Sequence, residues 1–380
     1  MLIGVVRDVN DRIVGMKVAT RIIQTQQQPS KRAKTWPRVL TWGFLCTGLL
    51  FVILLAVSFG SVAIPLSTIV QILLNGMGIG HFARQWDPSL EIIIWQVRMP
   101  GVIGAALVGA ALAVAGTIFQ GVLRNPLADP YLLGTSSGAA LGAAVAFLLP
   151  FDTLYGSYFP LTPLLAFVGA LVTVLFVYAI ARTGGRTPVV TLLLAGVVIN
   201  AVMVAFQTLL LTISPNARFG INALFNWLAG GLTVAGWLPV LVVGVMILVG
   251  ILLALSMASL LDAFALGEES AALLGLRVER YKFIMVIIAS LITAAAVSIS
   301  GLIGFVGLVI PHVMRLIFGP VHRSLVVTSA LGGAIFLVLA DLLARVVAAP
   351  TVLPVGVFTA LVGAPFFLYL LRRSRREYQW

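Results

Sequence analysis

Apolar runs of about 18 residues or more recur along almost the whole chain, the length a helix needs to cross about 30 Å of hydrocarbon. That recurrence limits the fold more than any other feature. Of 380 residues, 61% are hydrophobic and only 9% are charged, against about 25% charged in a soluble domain. The chain therefore reads as an all-α polytopic membrane protein.

Candidate spans lie near 39–60, 99–122, 131–150, 161–182, 189–212, 236–257, 283–303, 305–318, 325–347 and 354–371. The eighth is short enough to be an incomplete or tilted span. Ten spans put both ends on one side, and the basic residues test that threading. Twenty Lys and Arg fall on the side of the termini, against Arg84, Arg98, Arg218 and Arg345 on the other. By the positive-inside rule both ends are cytoplasmic. The net charge of +12 is thus explained by topology, and no nucleic-acid partner is expected. Residues 1–38 and 372–380 read as basic cytoplasmic tails, with Gln24–Ser30 a flexible stretch and no cleaved signal peptide. Residues 39–371 form one transmembrane domain. A single cysteine, Cys46, leaves no disulfide framework.

Between spans, Ile64–Glu91 reads as an outward loop with a short amphipathic helix, Ser67–Leu74. Asn216–Leu228 reads as a second outward helix lying at the interface, with Phe225 and Trp227 as anchors. Gly134, Gly138 and Gly142 repeat at four-residue spacing, and Gly301, Gly304 and Gly307 at three. Such small faces let helix backbones approach, with packing inside the chain favoured over a dimer seam.

One polar island interrupts the late part of the chain, Asp262–Lys282 (DAFALGEESAALLGLRVERYK). Gly267 breaks it, Glu268–Leu274 suits a short helix with acids at its positive end, and Gly275 suits the stop. Two short helices at a bend, with Leu266, Ala271 and Leu274 among charges, have the form of a docking knob. The charge count places it in the cytoplasm.

No GxxxxGK occurs, so the chain carries no P-loop for ATP. His81, His312 and His322 lack metal-ligand spacing. Asp341 is the one acid clearly embedded in a span, and Arg345 follows one turn later; an i,i+4 ion pair accounts for it better than a proton relay. With no other intramembrane acid, energy for any passage has to arrive from outside the chain.

Several blocks in register resemble the FecCD-type permeases, the membrane subunits of type II ATP-binding-cassette importers for iron–siderophore, haem and vitamin B12. They are Trp95-Gln96-Val97-Arg98-Met99-Pro100, then Gln120–Gly138 (QGVLRNPLADPYLLGTSSG), then Leu192–Val197 (LLLAGV). Leu266-Gly267-Glu268-Glu269 follows with Leu274-Gly275-Leu276. Last come Gly301–His312 (GLIGFVGLVIPH), His322-Arg323, and Leu353-Pro354-Val355-Gly356 with Thr359-Ala360. The resemblance covers residues 45–372.

It implies about ten transmembrane helices in the type II importer permease fold, a homodimer in the plasma membrane of a bacterium or archaeon, and a pathway at the dimer axis. It also implies two cytoplasmic ATPases, which would bind ATP and Mg, and an extracytoplasmic substrate-binding protein. No cofactor and no catalysis would belong to this chain. In that picture Glu268, Glu269, Ala271, Leu274 and Gly275 couple to the ATPase, a helix-in-groove contact. Arg98 and Arg345 dock the binding protein, although Gly101 stands where the B12 members often carry a second arginine. Asn125 and Leu127 form one cytoplasmic gate element. Val189 and Val190 form the other, where the B12 permeases carry small polar residues. These departures tilt the reading slightly toward iron–siderophore or haem over cobalamin. The rival is an ion-coupled secondary transporter that needs no ATPase, with Asp341 as its coupling group.

Overall fold

The computed structural model describes residues 38–60, 64–80, 82–149, 161–214, 217–232, 234 and 236–377. The N-terminal tail, including Gln24–Ser30, and His81 lie outside them. The described secondary structure is helical throughout, apart from one isolated bridge in a turn. In chain order the helices are α1 (Arg38–Ser58), α2 (Leu66–Gly76), α3 (Pro88–Val122), α4 (Thr135–Leu148), α5 (Leu161–Ala181), α6 (Val189–Ile213) and α7 (Ala217–Leu228). There follow α8 (Trp237–Ser256), α9 (Ala258–Ala265), α10 (Glu268–Leu273), α11 (Val278–Ser300), α12 (Val306–Phe318), α13 (His322–Val346) and α14 (Val355–Glu377). Seven are long and apolar enough to cross a bilayer, and the shorter apolar helices α4, α12 and α14 lie where the other three spans are expected.

Burial varies widely among the seven long helices. The apolar windows of α3 and α11 are 83% and 78% buried, whereas those of α1, α6 and α8 are 22–28% buried. A helix apolar on every side but buried on few faces presents the remainder to lipid. The core thus stands on α3 and α11, with α13 packed against α3.

Backbone contact makes the central seams. A Cβ on Gly109 of α3 would lie 2.1 Å from Gly333 O of α13, and one on Gly333 would lie 2.2 Å from Gly109 O. Gly138 of α4 and Gly169 of α5 meet in the same reciprocal way, and Gly142 sits against Leu165 O. Gly138 and Gly142 therefore do pack within the chain. Gly134 (φ +85°) instead forms the N-cap of α4.

Four other features differ from the sequence expectation. The second span starts at Pro88, not 99: Asp87 accepts from Ser89 N–H at 2.8 Å, Pro88 occupies the first turn where its missing N–H costs nothing, and a π-helical segment Ile93–Arg98 runs straight into the rest of α3. Gly301 and Gly304 are not on a helix face. They lie in the break between α11 and α12, where a Cβ on Gly301 (φ +67°) would meet Trp227 O at 2.0 Å. Trp227 is buried at 6% exposure and belongs to the core around α4 and α5, so Phe225 alone of the two faces outward. The C-terminal segment continues α14 as helix through Glu377.

Candidate functional site

The island folds as two short helices at a bend. On α9, Ala258, Leu261 and Phe264 are buried at i, i+3 and i+6, which seats one face and turns Asp262 away from it. Asp262 then caps α13: its Oδ1 accepts from His322 N–H at 3.0 Å and lies 2.7 Å from His322 Nδ1. Gly267 adopts φ +113°, a conformation L side chains rarely take. α10 follows with Glu268 and Glu269 in its first turn, at its positive end. Its stop uses Gly275 (φ +80°), whose N–H donates to Ala272 O, while Leu276 N–H donates to Ala271 O.

This geometry gives each residue of the expected docking set a different position. Ala271 is fully buried and seats the helix. Glu269 and Gly275 are exposed. Glu268 turns inward to Lys282, 2.8 Å away. Leu266 and Leu274 are 68% and 65% exposed, and Leu273, which sequence reasoning left out, is 90% exposed. Two adjacent leucines at the tip of a charged segment form an apolar apex that none of the described residues covers. A cavity of about 1520 Å³ lies beside it, walled by Arg182, Arg186, Arg277 and Arg280 as well as Glu268 and Glu269.

The gate candidates lie on two loops. Asn125 closes an Asx turn, its Oδ1 accepting from Leu127 N–H at 2.9 Å. Asp129 repeats the device with Tyr131 N–H and caps the 3₁₀ turn Pro130–Leu133. Burial drives the Asp129 carboxyl up to about 6, against the lowering effect of that hydrogen bond. Tyr131 completes the region: its hydroxyl donates to Ile303 O at 3.0 Å and accepts from Ile303 N–H at 3.1 Å, satisfying both backbone groups opened by the α11–α12 break. On the other loop, Val189 packs against the main core and Val190 is exposed at the start of α6.

Arg98 and Arg345 converge on one helix end. Arg98 Nη1 donates to Val57 O and Ser58 O, and Arg345 Nη1 donates to Phe59 O. Cations there satisfy the last carbonyls of α1 and oppose its dipole. Arg98 is 8% exposed. Arg345 also pairs with Asp341 at 2.8 Å, the i,i+4 pair expected from spacing. The π-helical segment below Arg98 leaves Trp95 O without its usual partner, and the Trp237 indole N–H of α8 supplies one at 2.7 Å. No group of three metal-ligating side chains occurs among the described residues.

Residues 48–373 match the FecCD transport family. Among curated relatives, the uncharacterized ABC transporter permease protein YvrB of Bacillus subtilis is 41% identical over 85% of this chain and 91% of its own. The cobalamin import system permease protein BtuC of Halobacterium salinarum is 45% identical over 75% and 74%. The hemin transport system permease protein HmuU of Yersinia pestis is 40% identical over 78% and 89%. A solved ABC transporter, described as of metal-chelate type and in an inward-facing conformation, superposes with a TM-score of 0.72 at 27% identity, over 88% of this chain and 99% of that one. The apolar helices, the island between α8 and α11 and these likenesses agree, and the chain belongs to the FecCD transport family.

Proposed function

We propose that this permease forms, as a homodimer, the translocation pathway of an ATP-driven importer for a metal chelate (iron–siderophore or haem) or cobalamin. Two cytoplasmic ATPases engage the island, and an extracytoplasmic binding protein delivers the substrate near Arg98 and Arg345. The protein sits in a bacterial or archaeal plasma membrane with both basic tails inside. The observation that carries the reading is the Leu273–Leu274 apex. Exposed leucines on a hydrocarbon-facing helix need no explanation, but these cap a segment rich in charge, outside the spans. An apolar tip amid charges fits a groove on a water-soluble partner.

Relatives named for cobalamin and for hemin are similarly close, at 45% and 40% identity, so identity does not choose the cargo. The secondary-transporter reading loses its footing at Asp341, whose carboxylate is already held by Arg345. Reconstitution tests the proposal. Proteoliposomes holding the chain, its ATPase and its binding protein take up haemin, a ferric siderophore or cyanocobalamin only with ATP. Uptake by the chain alone under a proton gradient refutes it.

A further inference from the structure

Lys282, near the start of α11, is 1% exposed. Its Nζ lies 2.8 Å from Glu268 Oε1 and 3.2 Å from Glu279 Oε1, and it donates to Thr187 O at 3.1 Å. The ammonium has three donors, and each has an acceptor on a different segment: α10, α11 and the loop before α6. Glu279 closes the ring, its Oε2 accepting from Thr187 N–H at 2.9 Å. Both backbone groups of Thr187 are therefore held, so this residue cannot shift without carrying the cluster with it.

What Thr187 leads to gives the cluster its meaning. Pro188 follows, with φ −60° set by its ring, and then Val189 and Val190. On the other side, the Thr183–Arg186 bridge closes a tight turn through Gly184 and Gly185. The loop is a short stiff lever, fixed at Thr187 and ending in the first turn of α6. At the opposite pole, Glu268 opens α10, which carries the exposed leucine apex. The other gate loop meets the same bend: the Arg124 guanidinium lies 3.7 Å from where a Cβ on Gly267 would stand, and Asn125 comes next.

We propose that Lys282 is a positioning residue that locks α10, through Glu268, to the Thr187–Val190 gate segment, so that the gate moves with the coupling helix. This rests on the ATPase-coupling reading above. A buried ammonium held by three acceptors tolerates little change in their separation. Displacement of α10 by a partner is then passed to the gate loop and not absorbed between them.

The test uses the full complex of permease, ATPase and binding protein in proteoliposomes, with haemin or cyanocobalamin, whichever the wild type transports. Lys282→Met keeps the length of the side chain and removes its donors. The expected result is ATPase association and ATP hydrolysis within about twofold of wild type, with substrate moved per ATP lower by about 2- to 30-fold. Lys282→Arg, which keeps charge and donors, recovers most of the uptake. A wild-type ratio in a folded Lys282→Met protein overturns the proposal, as does a parallel fall of hydrolysis and uptake, the mark of a merely structural role. If Lys282→Met does not fold, Glu279→Gln decides, because it loosens the clamp on Thr187 without emptying it, and an unchanged ratio overturns the proposal. Wild-type uptake without ATPase overturns the coupling reading itself, and this inference with it.

Discussion

Leu273 allows the coupling reading to be tested quantitatively. Its side chain is 90% exposed, so Leu273→Ala removes almost no packing within the chain, and surface changes of that kind stay within about 0.5 kcal/mol. Burial of a leucine in a partner's groove is worth about 1.5–3 kcal/mol, and each 1.4 kcal/mol is about tenfold in affinity. The ATPase should therefore bind Leu273→Ala roughly 10- to 100-fold more weakly, with the permease's own thermal transition unmoved. Leu274, at 65% exposure, should show the same effect on a smaller scale. Leu261 is the internal control: it is fully buried on α9, and its truncation costs about 2–5 kcal/mol of fold stability. The measurement is a titration of purified ATPase onto the permease in nanodiscs, with thermal unfolding run in parallel. Affinity of Leu273→Ala within twofold of wild type would refute the claim that this apex is the docking surface.

Two further outcomes follow from the packing. Gly109→Ala places a Cβ 2.1 Å from Gly333 O, against an ordinary contact of roughly 3.4 Å or more, so α3 and α13 must part by about 1 Å; overpacking of this kind costs about 1–3 kcal/mol and should lower the thermal midpoint, and an unchanged midpoint would show that the seam is slack. Asp129, raised to about 6 from the usual 3.8, favours the folded state when protonated, so its contribution is complete below about pH 4 and lost as pH rises through 6; Asp129→Asn should flatten that pH dependence, and a profile identical to wild type between pH 4 and 7 would contradict the burial argument.

The spans were legible because a bilayer sets helix length directly, and apolar runs report that length residue by residue. Their ends were less so, since one residue type serves two purposes. Asp87-Pro88 reads as a loop signal, yet the same pair is a helix start when Asp accepts from N2 and Pro sits at N1. Glycine spacing was ambiguous for a similar reason. Gly138 and Gly142 admit a neighbouring helix, while Gly301 permits a positive φ beneath Trp227 O. Only the partner distinguishes the two uses, and the partner lies far away in the chain. Lys282 shows the limit most sharply. It reads as one more charge in an exposed island of mixed charge, and its burial depends on a carbonyl 95 residues earlier. Leu273 was missed because its neighbour Leu274 occupied the matching motif position, whereas exposure depends on which way the last turn of α10 points.

The distribution of polar contacts bears on how such a chain moves. The seams between α3 and α13 and between α4 and α5 bring backbone against backbone where glycines meet, Gly109 with Gly333 and Gly138 with Gly169. Contacts so close leave little slack, so each pair of helices resists separation. The charged ties lie at the ends: Lys282 with Glu268, Glu279 and Thr187 at one pole, and Arg98 and Arg345 around the last carbonyls of α1 at the other. The arginine hydrogen bonds to the end of α1 can exchange partners over small displacements, whereas the Lys282 ammonium, with all three donors matched, holds its acceptors in place. Under the coupling proposed above, a displacement of α10 is passed through the Lys282 clamp to Thr187–Val190, and polar partners exchange instead where Arg98 and Arg345 meet the end of α1.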